Sequence, residues 1–267
     1  GKVVYCKNGV QISQMSEKVW CLDILLLDFI KVAVQKKKWW FTAFKYPKVL
    51  GSINMAIECL NIQDNILMLQ NPMAIGVAEG VRRRAFVFDA IDNWIYHPQM
   101  KDKELIKNNY RYVEDQADLI LTVSKGLTEV FDRNKNVHWV PNGVDIDFFE
   151  SAIKSTMNNN QKTVVGYVGK IQDRVDFNLV EKCLNNFPKC HFEFLGPIYT
   201  QHERIKIIEE KYDNIHFSGD VHYARLPSAM KNFDVAIIPH KIDAFTDSMN
   251  PLKFYEYLAA GKLVVTT

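Results

Sequence analysis

Residues 248–265 read SMNPLKFYEYLAAGKLVV, a pattern that joins a sharply delimited helix to an apolar strand. Asn250 is a favoured N-cap and Pro251 suits the first helical position, so a helix is predicted to begin there. Gly261 suits the position just past a helix end, and an apolar run follows it at once. The stretch is therefore one helix–strand step of an α/β chain.

The same alternation of short apolar runs and helical segments extends back through the chain to about Ile53. Runs rich in β-branched and aromatic residues include Ala85–Phe88, Thr163–Val168 and Val235–Ile238, and segments of helical period such as Lys103–Ala117 lie between them. Apolar strands that alternate with helices are typical of parallel sheets covered on both faces. We therefore predict an α/β chain built on parallel sheets.

A polar stretch divides these runs into two series. Residues 155–162 read STMNNNQK, which is typical of a linker or a surface loop. The length of 267 residues suits two domains of ~100–150 residues each. We expect a first domain over residues 1–155 and a second over residues 156–267. The second series stops on an apolar run at residues 263–267, which predicts a chain trimmed at that end.

Composition and charge exclude several classes of protein. Hydrophobic residues make up 48 % and charged residues 24 %, so the chain can bury a core and is not disordered. A net charge of +2 is too balanced for a dedicated nucleic-acid binder. The most apolar run, residues 21–34, is too short and too charged to span a bilayer, and no signal-peptide pattern opens the chain. We therefore expect a cytoplasmic protein.

The sequence offers no pattern of metal ligands. Its five cysteines and seven histidines are scattered without the spacing of a zinc or redox site. Asp145 and Asp147 form an Asp-x-Asp, which can hold a divalent cation, but they follow a Pro-Asn-Gly turn and turn capping is the preferred interpretation. We predict neither a metal site nor a cofactor.

Three side chains of the predicted helix share one face near its N-terminus, namely Asn250, Lys253 and Glu256, because they are spaced by three. Free N–H groups and a lysine at a helix N-terminus attract an anion. A carboxylate one turn further on can accept hydrogen bonds from two hydroxyls, as a ribose would offer. The face fits a nucleotide diphosphate, and the alternative is a solvated Lys–Glu pair on a capped helix.

Several predicted strands of the second series end on glycine, where a ligand can approach the backbone closely. Ligands of open α/β sheets bind beyond the carboxyl ends of the strands, and cations placed there neutralise phosphate. Ordinary strand–helix turns also favour glycine, so each position is a weak signal by itself. The candidate groups at these ends are Gly169, Lys170, Arg174, Gly196, Asp220 and Val221.

Asp89 and Asp92 follow the predicted strand Ala85–Phe88 at its carboxyl end. A carboxylate in that place can orient or deprotonate a substrate hydroxyl. The alternative is that both acids cap the turn that follows. Trp94, two residues on, packs either beneath a sugar or in the core. The sequence favours a functional role for Asp92 and leaves Asp89 open.

A basic stretch lies near the start of the chain. Six lysines from Lys31 to Lys48 have no acid among them and are interleaved with aromatic residues. Lysines beside interfacial aromatics suit an anionic membrane surface. The alternative is a solvated basic loop whose aromatics face the core. The aromatic residues in question are Trp39, Trp40, Phe41 and Phe44.

Four segments together resemble the glycosyltransferases of the GT-B fold, in the group called glycosyl transferases group 1 (family 4). VPNGVDIDFF at 140–149 is similar to their interdomain signature, and NPLKFYEYLAAG at 250–261 to their donor-site helix. ADLILTVSKGL at 117–127 is similar to a segment of theirs in which a strand leads into a helix. FDAIDNW at 88–94 resembles a segment of the bacterial cell-wall and capsule branch, such as teichuronic acid biosynthesis enzymes.

The resemblance implies two Rossmann-like domains that face a cleft, with the acceptor on the first and the nucleotide-sugar donor on the second. It implies transfer of a sugar to a polysaccharide or lipid-linked acceptor, with retention of configuration and with cations in place of a metal. Asp92 and Asp89 are the expected catalytic residues. The expected donor-binding residues are Gly169, Lys170, Arg174, Gly196, Asp220, Val221, Ser248, Asn250, Pro251, Leu252, Lys253 and Glu256.

The chain departs from the family pattern in three places. Ser248, with Asp247 beside it, stands where the family usually has the first of two glutamates. The family's opening strand and glycine-rich loop have no match near residue 1, and its C-terminal crossover helix is absent, so the chain looks trimmed at both ends. A sugar-nucleotide epimerase of the same fold and a non-catalytic nucleotide- or partner-binding module stay open as alternatives.

Overall fold

The computed structural model describes residues 1–98, 100–153 and 162–267. These form two compact units, Gly1–Val140 and Pro141–Thr267, which are described one at a time. The expected boundary after residue 155 falls later than this division because Phe149 and Ala152 are buried in a core of the second unit. The predicted linker, residues 155–162, lies outside the described residues except for Lys162.

The first unit opens with an antiparallel sheet and continues into short helices. Its strands β1 (Lys2–Lys7), β2 (Val10–Ser16) and β3 (Val19–Ile24) pair in that order, and β2 buries Val10 and Ile12. The helices that follow are α1 (Phe29–Gln35), α2 (Trp39–Ala43) and α3 (Pro47–Cys59), with a short 3-10 turn at Lys36–Lys38.

A four-stranded parallel sheet forms the rest of the first unit. Its strands β4 (Ile66–Leu69), β5 (Ala85–Ala90), β6 (Leu119–Thr122) and β7 (Val137–Trp139) lie in sequence order. The helices between them are α4 (Ile75–Gly80), α5 (Lys103–Gln116) and α6 (Lys125–Thr128). The core packs Phe86 and Phe88 of β5 against Tyr110 and Val113 of α5. The predicted alternation is therefore confirmed, with β5 running two residues beyond its expected end.

The second unit is built on a five-stranded parallel sheet whose strand order reverses in the middle. Its strands β8 (Val164–Val168), β9 (His191–Leu195), β10 (Ile215–Gly219), β11 (Val235–Ile238) and β12 (Leu263–Thr266) lie in the order β10-β9-β8-β11-β12. The helices are α7 (Ile146–Glu150), α8 (Phe177–Asn186), α9 (His202–Lys211), α10 (Leu226–Met230), α11 (Ala244–Asp247) and α12 (Leu252–Ala259). The chain moves outward from β8 to β10 and returns to β11 on the other side, which creates a crevice at the carboxyl ends of β8 and β11.

Buried aromatic side chains fix α12 against β8. The backbone N–H of Val168 donates a hydrogen bond to the Tyr257 hydroxyl over 2.7 Å, and Tyr257 is fully buried. Tyr167 of β8 stacks on Phe194 of β9 with ring centres 5.2 Å apart. The helix that carries Lys253 and Glu256 is therefore held at the strand that borders the crevice.

The helices among the described residues can be compared with the length and apolarity that a bilayer span requires. None of those helices is both long and apolar enough to cross a bilayer.

Candidate functional site

Two glycines at the carboxyl ends of β8 and β9 let neighbouring atoms lie close to the backbone. Gly169 and Gly196 have φ angles of +136° and +142°, which side chains rarely tolerate. A Cβ on Gly196 would collide with the carbonyl oxygen of Gly169. A Cβ on Gly169 would lie 3.0 Å from the Nζ atom of Lys253. Gly196 therefore lets the end of β9 lie against the end of β8, and Gly169 leaves room there for the Lys253 side chain.

The start of α12 differs from the prediction by one residue. Pro251 occupies the N-cap position, and the helix begins at Leu252. The Asn250 side chain does not cap the helix because its amide donates to the Tyr255 hydroxyl (3.1 Å). Its side-chain oxygen is buried and has no hydrogen-bond partner in the described part of the chain. Gly261 ends the helix with a φ of +65°, as predicted.

Lys253 is the central cation of this region. Its Nζ atom donates to the Tyr167 hydroxyl (3.0 Å) and lies 4.4 Å from the centre of that ring. Among the described residues, no carboxylate lies within 4.0 Å of this ammonium group. Burial and the nearby Arg174 lower the pKa of Lys253 to about 7, against the opposing attraction of Glu256. The fold thus holds Lys253 half-buried and without an ion-pair partner in the described chain.

Arg174 and His240 lie near Lys253, so that two basic side chains and an imidazole form one cluster. Arg174 lies beside Met249, with 3.8 Å between Nη1 and the sulfur. His240 lies two residues after the end of β11 and is buried. Its Nε2 atom has no hydrogen-bond partner within the described ranges. Burial, and then the charges of Lys253 and Arg174, lower the pKa of His240 to about 3. His240 is therefore neutral at physiological pH and sits at the reversal of strand order.

Glu256 lies one turn beyond Lys253 on α12. Burial raises the pKa of its carboxyl and the charge of Lys253 lowers it, with a net rise. Burial and the charges of Glu256 and Asp145 also raise the pKa of the Tyr223 phenol. Tyr223 stacks on Phe148 with ring centres 5.1 Å apart and ring planes 7° apart. Glu256 is thus close to an exposed aromatic side chain as well as to the cations.

A pocket of about 520 Å³ opens beside the N-terminal end of α12. His240 and Asn250, which each carry an unpartnered polar atom, both contribute to its lining, together with Thr246 and Thr266. An unpartnered buried polar atom costs free energy that a bound ligand can recover. The pocket is therefore a place where a polar ligand would be stabilised.

The other predicted donor residues are spread around this centre. Lys170 is exposed, with its Nζ atom 5.4 Å from the centre of the Tyr199 ring. Ser248 is buried and its hydroxyl donates to the carbonyl oxygen of Phe245 (2.8 Å). Asp220 is exposed just beyond β10, and Val221 packs on the core that includes Tyr257. Among the predicted donor residues, Gly169, Arg174 and Glu256 are thus neighbours of Lys253, and Gly196 lies against Gly169.

Both predicted acids of the first unit lie at the carboxyl end of β5. Asp89 is inside the strand and not after it, and its carboxylate accepts from the Gln70 side chain (2.8 Å). The main-chain oxygen of Asp92 accepts from the Tyr110 hydroxyl (3.1 Å), and that hydroxyl also accepts from the N–H of Trp94 (3.1 Å). Trp94 packs against the core, and its indole N–H is buried without a partner in the described chain.

Two further sequence interpretations can be compared with the structure. Asp145 caps α7, because its carboxylate accepts from the N–H of Phe148 (3.1 Å), as turn capping requires. Trp39 and Phe41 are buried, so these two aromatics do not lie on an outer surface. His240 is the residue that sequence reasoning missed. The signal that could have found it is its position two residues beyond the predicted strand Val235–Ile238.

Comparison with known proteins gives one curated relative and many structures. No protein-family model matches the chain. The Bacillus subtilis (strain 168) protein described as "Putative teichuronic acid biosynthesis glycosyltransferase TuaH" is 27 % identical over 174 residues, which cover 62 % of this chain and 44 % of that protein. The matched part of the chain thus spans less than half the length of this relative.

Solved structures of glycosyltransferases share the architecture. Anabaena Alr3699/HepE in complex with UDP has a TM-score of 0.60 at 15 % identity, covering 82 % of this chain and 62 % of its own. TarM has a TM-score of 0.61 at 14 % identity, with coverages of 82 % and 44 %. The catalytic domain of Arabidopsis thaliana starch synthase IV, bound to ADP and acarbose, has 0.64 at 12 % identity, with 96 % and 67 %. The chain therefore has the fold of the GT-B glycosyltransferases, and its predicted resemblance to a teichuronic acid biosynthesis glycosyltransferase is confirmed.

Proposed function

We propose that this chain acts in glycosyl transfer from a nucleotide-diphosphate sugar to a polysaccharide or lipid-linked acceptor. The observation that carries the proposal is the cationic cluster of the second unit. Lys253 and Arg174 lie without a neutralising carboxylate in the described chain, at the end of a parallel sheet where its strand order reverses. Such a place binds phosphates in α/β folds, and the fold similarity and the curated relative both point to the same chemistry.

The donor would bind with its diphosphate against Lys253 and Arg174, and with Lys170 near its outer edge. Glu256, one helical turn further on, would accept hydrogen bonds from the ribose hydroxyls. The glycines that close β8 and β9 permit this approach. The remaining proposed donor contacts are Asp220, Val221, Ser248, Asn250, Pro251 and Leu252.

The cations would also assist the chemical step. Breaking the bond between the sugar and the diphosphate leaves negative charge on the departing oxygen, and preorganised cations stabilise that charge most. This is the role that a divalent cation has in other glycosyltransferases, so we propose a reaction without a metal or cofactor. Asp92, with Asp89 as the second candidate, would orient the acceptor hydroxyl and take its proton. Retention of configuration is what the resemblance implies.

The setting we propose is the cytoplasm. A sugar-nucleotide epimerase remains the second candidate, because the same fold and the same cations would also serve it. Such an enzyme would change its nucleotide sugar without any acceptor.

The test is a panel of nucleotide sugars titrated into the chain by calorimetry and then supplied with saccharide acceptors. We expect binding of at least one nucleotide sugar, and release of its nucleotide that speeds up when an acceptor is present. Conversion of the sugar without an acceptor would favour the epimerase, and binding without any turnover would favour a binding module. The proposal would be overturned if the chain bound none of the nucleotide sugars in the panel.

A further inference from the structure

The segment Leu25–Val34 exposes apolar side chains that globular proteins normally cover. Leu27, Phe29, Ile30 and Val34 are between 70 % and 81 % exposed, and Leu25 is 57 % exposed. Helix α1, which contains three of these residues, buries none of its side chains. A helix on a folded domain usually buries one face, and a contiguous exposed apolar patch marks an interaction surface.

This segment is held in place by contacts at both ends. Lys48 donates to the main-chain oxygen of Leu25 (2.8 Å), and the indole N–H of Trp39 donates to the carboxylate of Asp28 (3.0 Å). Lys31 donates to the Tyr46 hydroxyl (3.2 Å). The apolar side chains are therefore presented outward by a tethered segment of the fold.

The charge around the apolar residues is strongly positive. Between residues 25 and 48 the chain has six lysines and a single acid, Asp28. Lys38 pairs with Asp102 (2.7 Å) and Lys31 lies 4.0 Å from Asp28, while Lys36 and Lys37 are exposed directly after α1. Apolar side chains beside cations complement a surface that carries anionic groups outside and an apolar layer beneath them.

We propose that Leu25–Val34 docks the first unit on an anionic lipid bilayer. Leu27, Phe29, Ile30 and Val34 enter the boundary between headgroups and acyl chains, and the exposed Lys36 and Lys37 lie against the lipid phosphates. The buried Trp39 and Phe41 take no part, so the contact lies toward the N-terminal end of the basic stretch expected from sequence. A bilayer fits better than a protein partner because the cations surround the apolar residues on the same short segment.

The test is co-sedimentation of the whole chain with vesicles, and it needs no nucleotide sugar. Vesicles would contain phosphatidylcholine alone or with one third phosphatidylglycerol. We expect binding to the anionic vesicles that weakens as salt rises, because the attraction decays over ~10 Å at about 0.1 M salt. Ile30→Asp should lower the partition coefficient at least about tenfold. Its matched control is Ile207→Asp, which changes an aliphatic side chain of α9 that is 59 % exposed.

A charge-reversal pair separates the electrostatic part of the contact. Lys36→Glu with Lys37→Glu should weaken binding to anionic vesicles, whereas Lys189→Glu, on an exposed lysine of the second unit, should not. The proposal is overturned if the parent chain ignores anionic vesicles or if Ile30→Asp and Ile207→Asp bind alike. It is also overturned if sedimentation velocity shows a dimer that Ile30→Asp dissociates, since the patch would then be covered by a second copy.

Discussion

The carboxyl ends of β5 and β8 occupy the same place in their sheets but differ in how their polar groups are satisfied. At β5, Asp89 accepts a hydrogen bond from Gln70, and Tyr110 supports the backbone at Asp92. At β8, Lys253 lies near a second cation with no carboxylate in ion-pair contact among the described residues, and His240 has an unpartnered nitrogen. The two predicted acids at β5 are thus supported by neighbours in their own fold, whereas at β8 the proposed anion site leaves Lys253 without an ion-pair partner in the described chain.

Strand order explains why the two ends differ. The first sheet runs β4-β5-β6-β7 without reversal, so each strand end is flanked by the loops of its neighbours in sequence. The second sheet reverses between β8 and β11, which leaves a crevice between connections that diverge. Lys253 and His240 approach this crevice from α12 and from the end of β11. The proposed anion site therefore depends on topology as well as on the presence of lysines.

The largest effect that would separate the two ends concerns Asp92. If it takes the proton of the acceptor, Asp92→Asn should lower the turnover rate by ~10²–10⁴-fold, because general bases contribute that much. Donor affinity should stay unchanged, since the donor cluster lies in the second unit. Initial rates and calorimetry on the same variant measure both quantities.

Asp89→Asn is the matched control, because asparagine can still accept the hydrogen bond from Gln70. We expect a much smaller loss of turnover than for Asp92→Asn. Equal losses in the two variants would assign both acids to the support of the strand end, and full activity of Asp92→Asn would remove it from the reaction.

Removing the central cation should have the next largest effect. Lys253→Ala should weaken the binding of a nucleoside diphosphate by up to ~3 kcal/mol, about 100-fold in affinity. The reason is the loss of a charge-assisted hydrogen bond in a partly desolvated place. The corresponding nucleoside, which has no phosphate, should bind as before. Lys241→Ala, which changes an exposed lysine that lines the neighbouring pocket, is the control and should alter neither affinity by much. Equal affinities of parent and Lys253→Ala for the diphosphate would leave α12 as scaffold.

Glu256→Gln should produce a smaller and differently distributed loss. Glutamine keeps an acceptor oxygen but not the charge, so we expect a loss of about 1.5 kcal/mol, roughly tenfold in affinity. Because the ribose is common to both ligands, the affinities for the nucleoside and for the diphosphate should fall by the same factor. A loss confined to the diphosphate would contradict the ribose contact. If the helix face is only solvated, the change should cost at most about 0.5 kcal/mol of stability and no affinity.

The parts of this site that were predicted from sequence are those set by local pattern. Helix and strand periods place Lys253 and Glu256 on one helix face and put glycines after apolar runs, so these features could be predicted from the sequence. The lack of an ion pair to Lys253 among the described residues and the neutral, buried state of His240 depend on which strands are neighbours, which no local pattern records. The same limit applies to Trp39 and Phe41, since an aromatic residue beside lysines can face either a membrane or the core. The apolar exposure of Leu27 and Ile30 could also not be predicted, because it depends on what the fold leaves uncovered.

The smallest expected effect is on stability, and its dependence on pH tests the buried cation directly. The pKa of Lys253 is about 7 in the folded chain and ordinarily 10.5. Between these values the unfolded chain binds more protons, so the contribution of Lys253 to stability rises with pH and is least favourable below pH 7. Lys253→Met removes this cost and should raise the free energy of unfolding near pH 6 by ~1 kcal/mol, or about 2–4 °C in Tm. The gain should shrink by about pH 8.5, and Lys241→Met should show no such trend. A gain that is the same at both pH values would mean that methionine simply packs better, and no gain at all would mean that water already solvates the ammonium group.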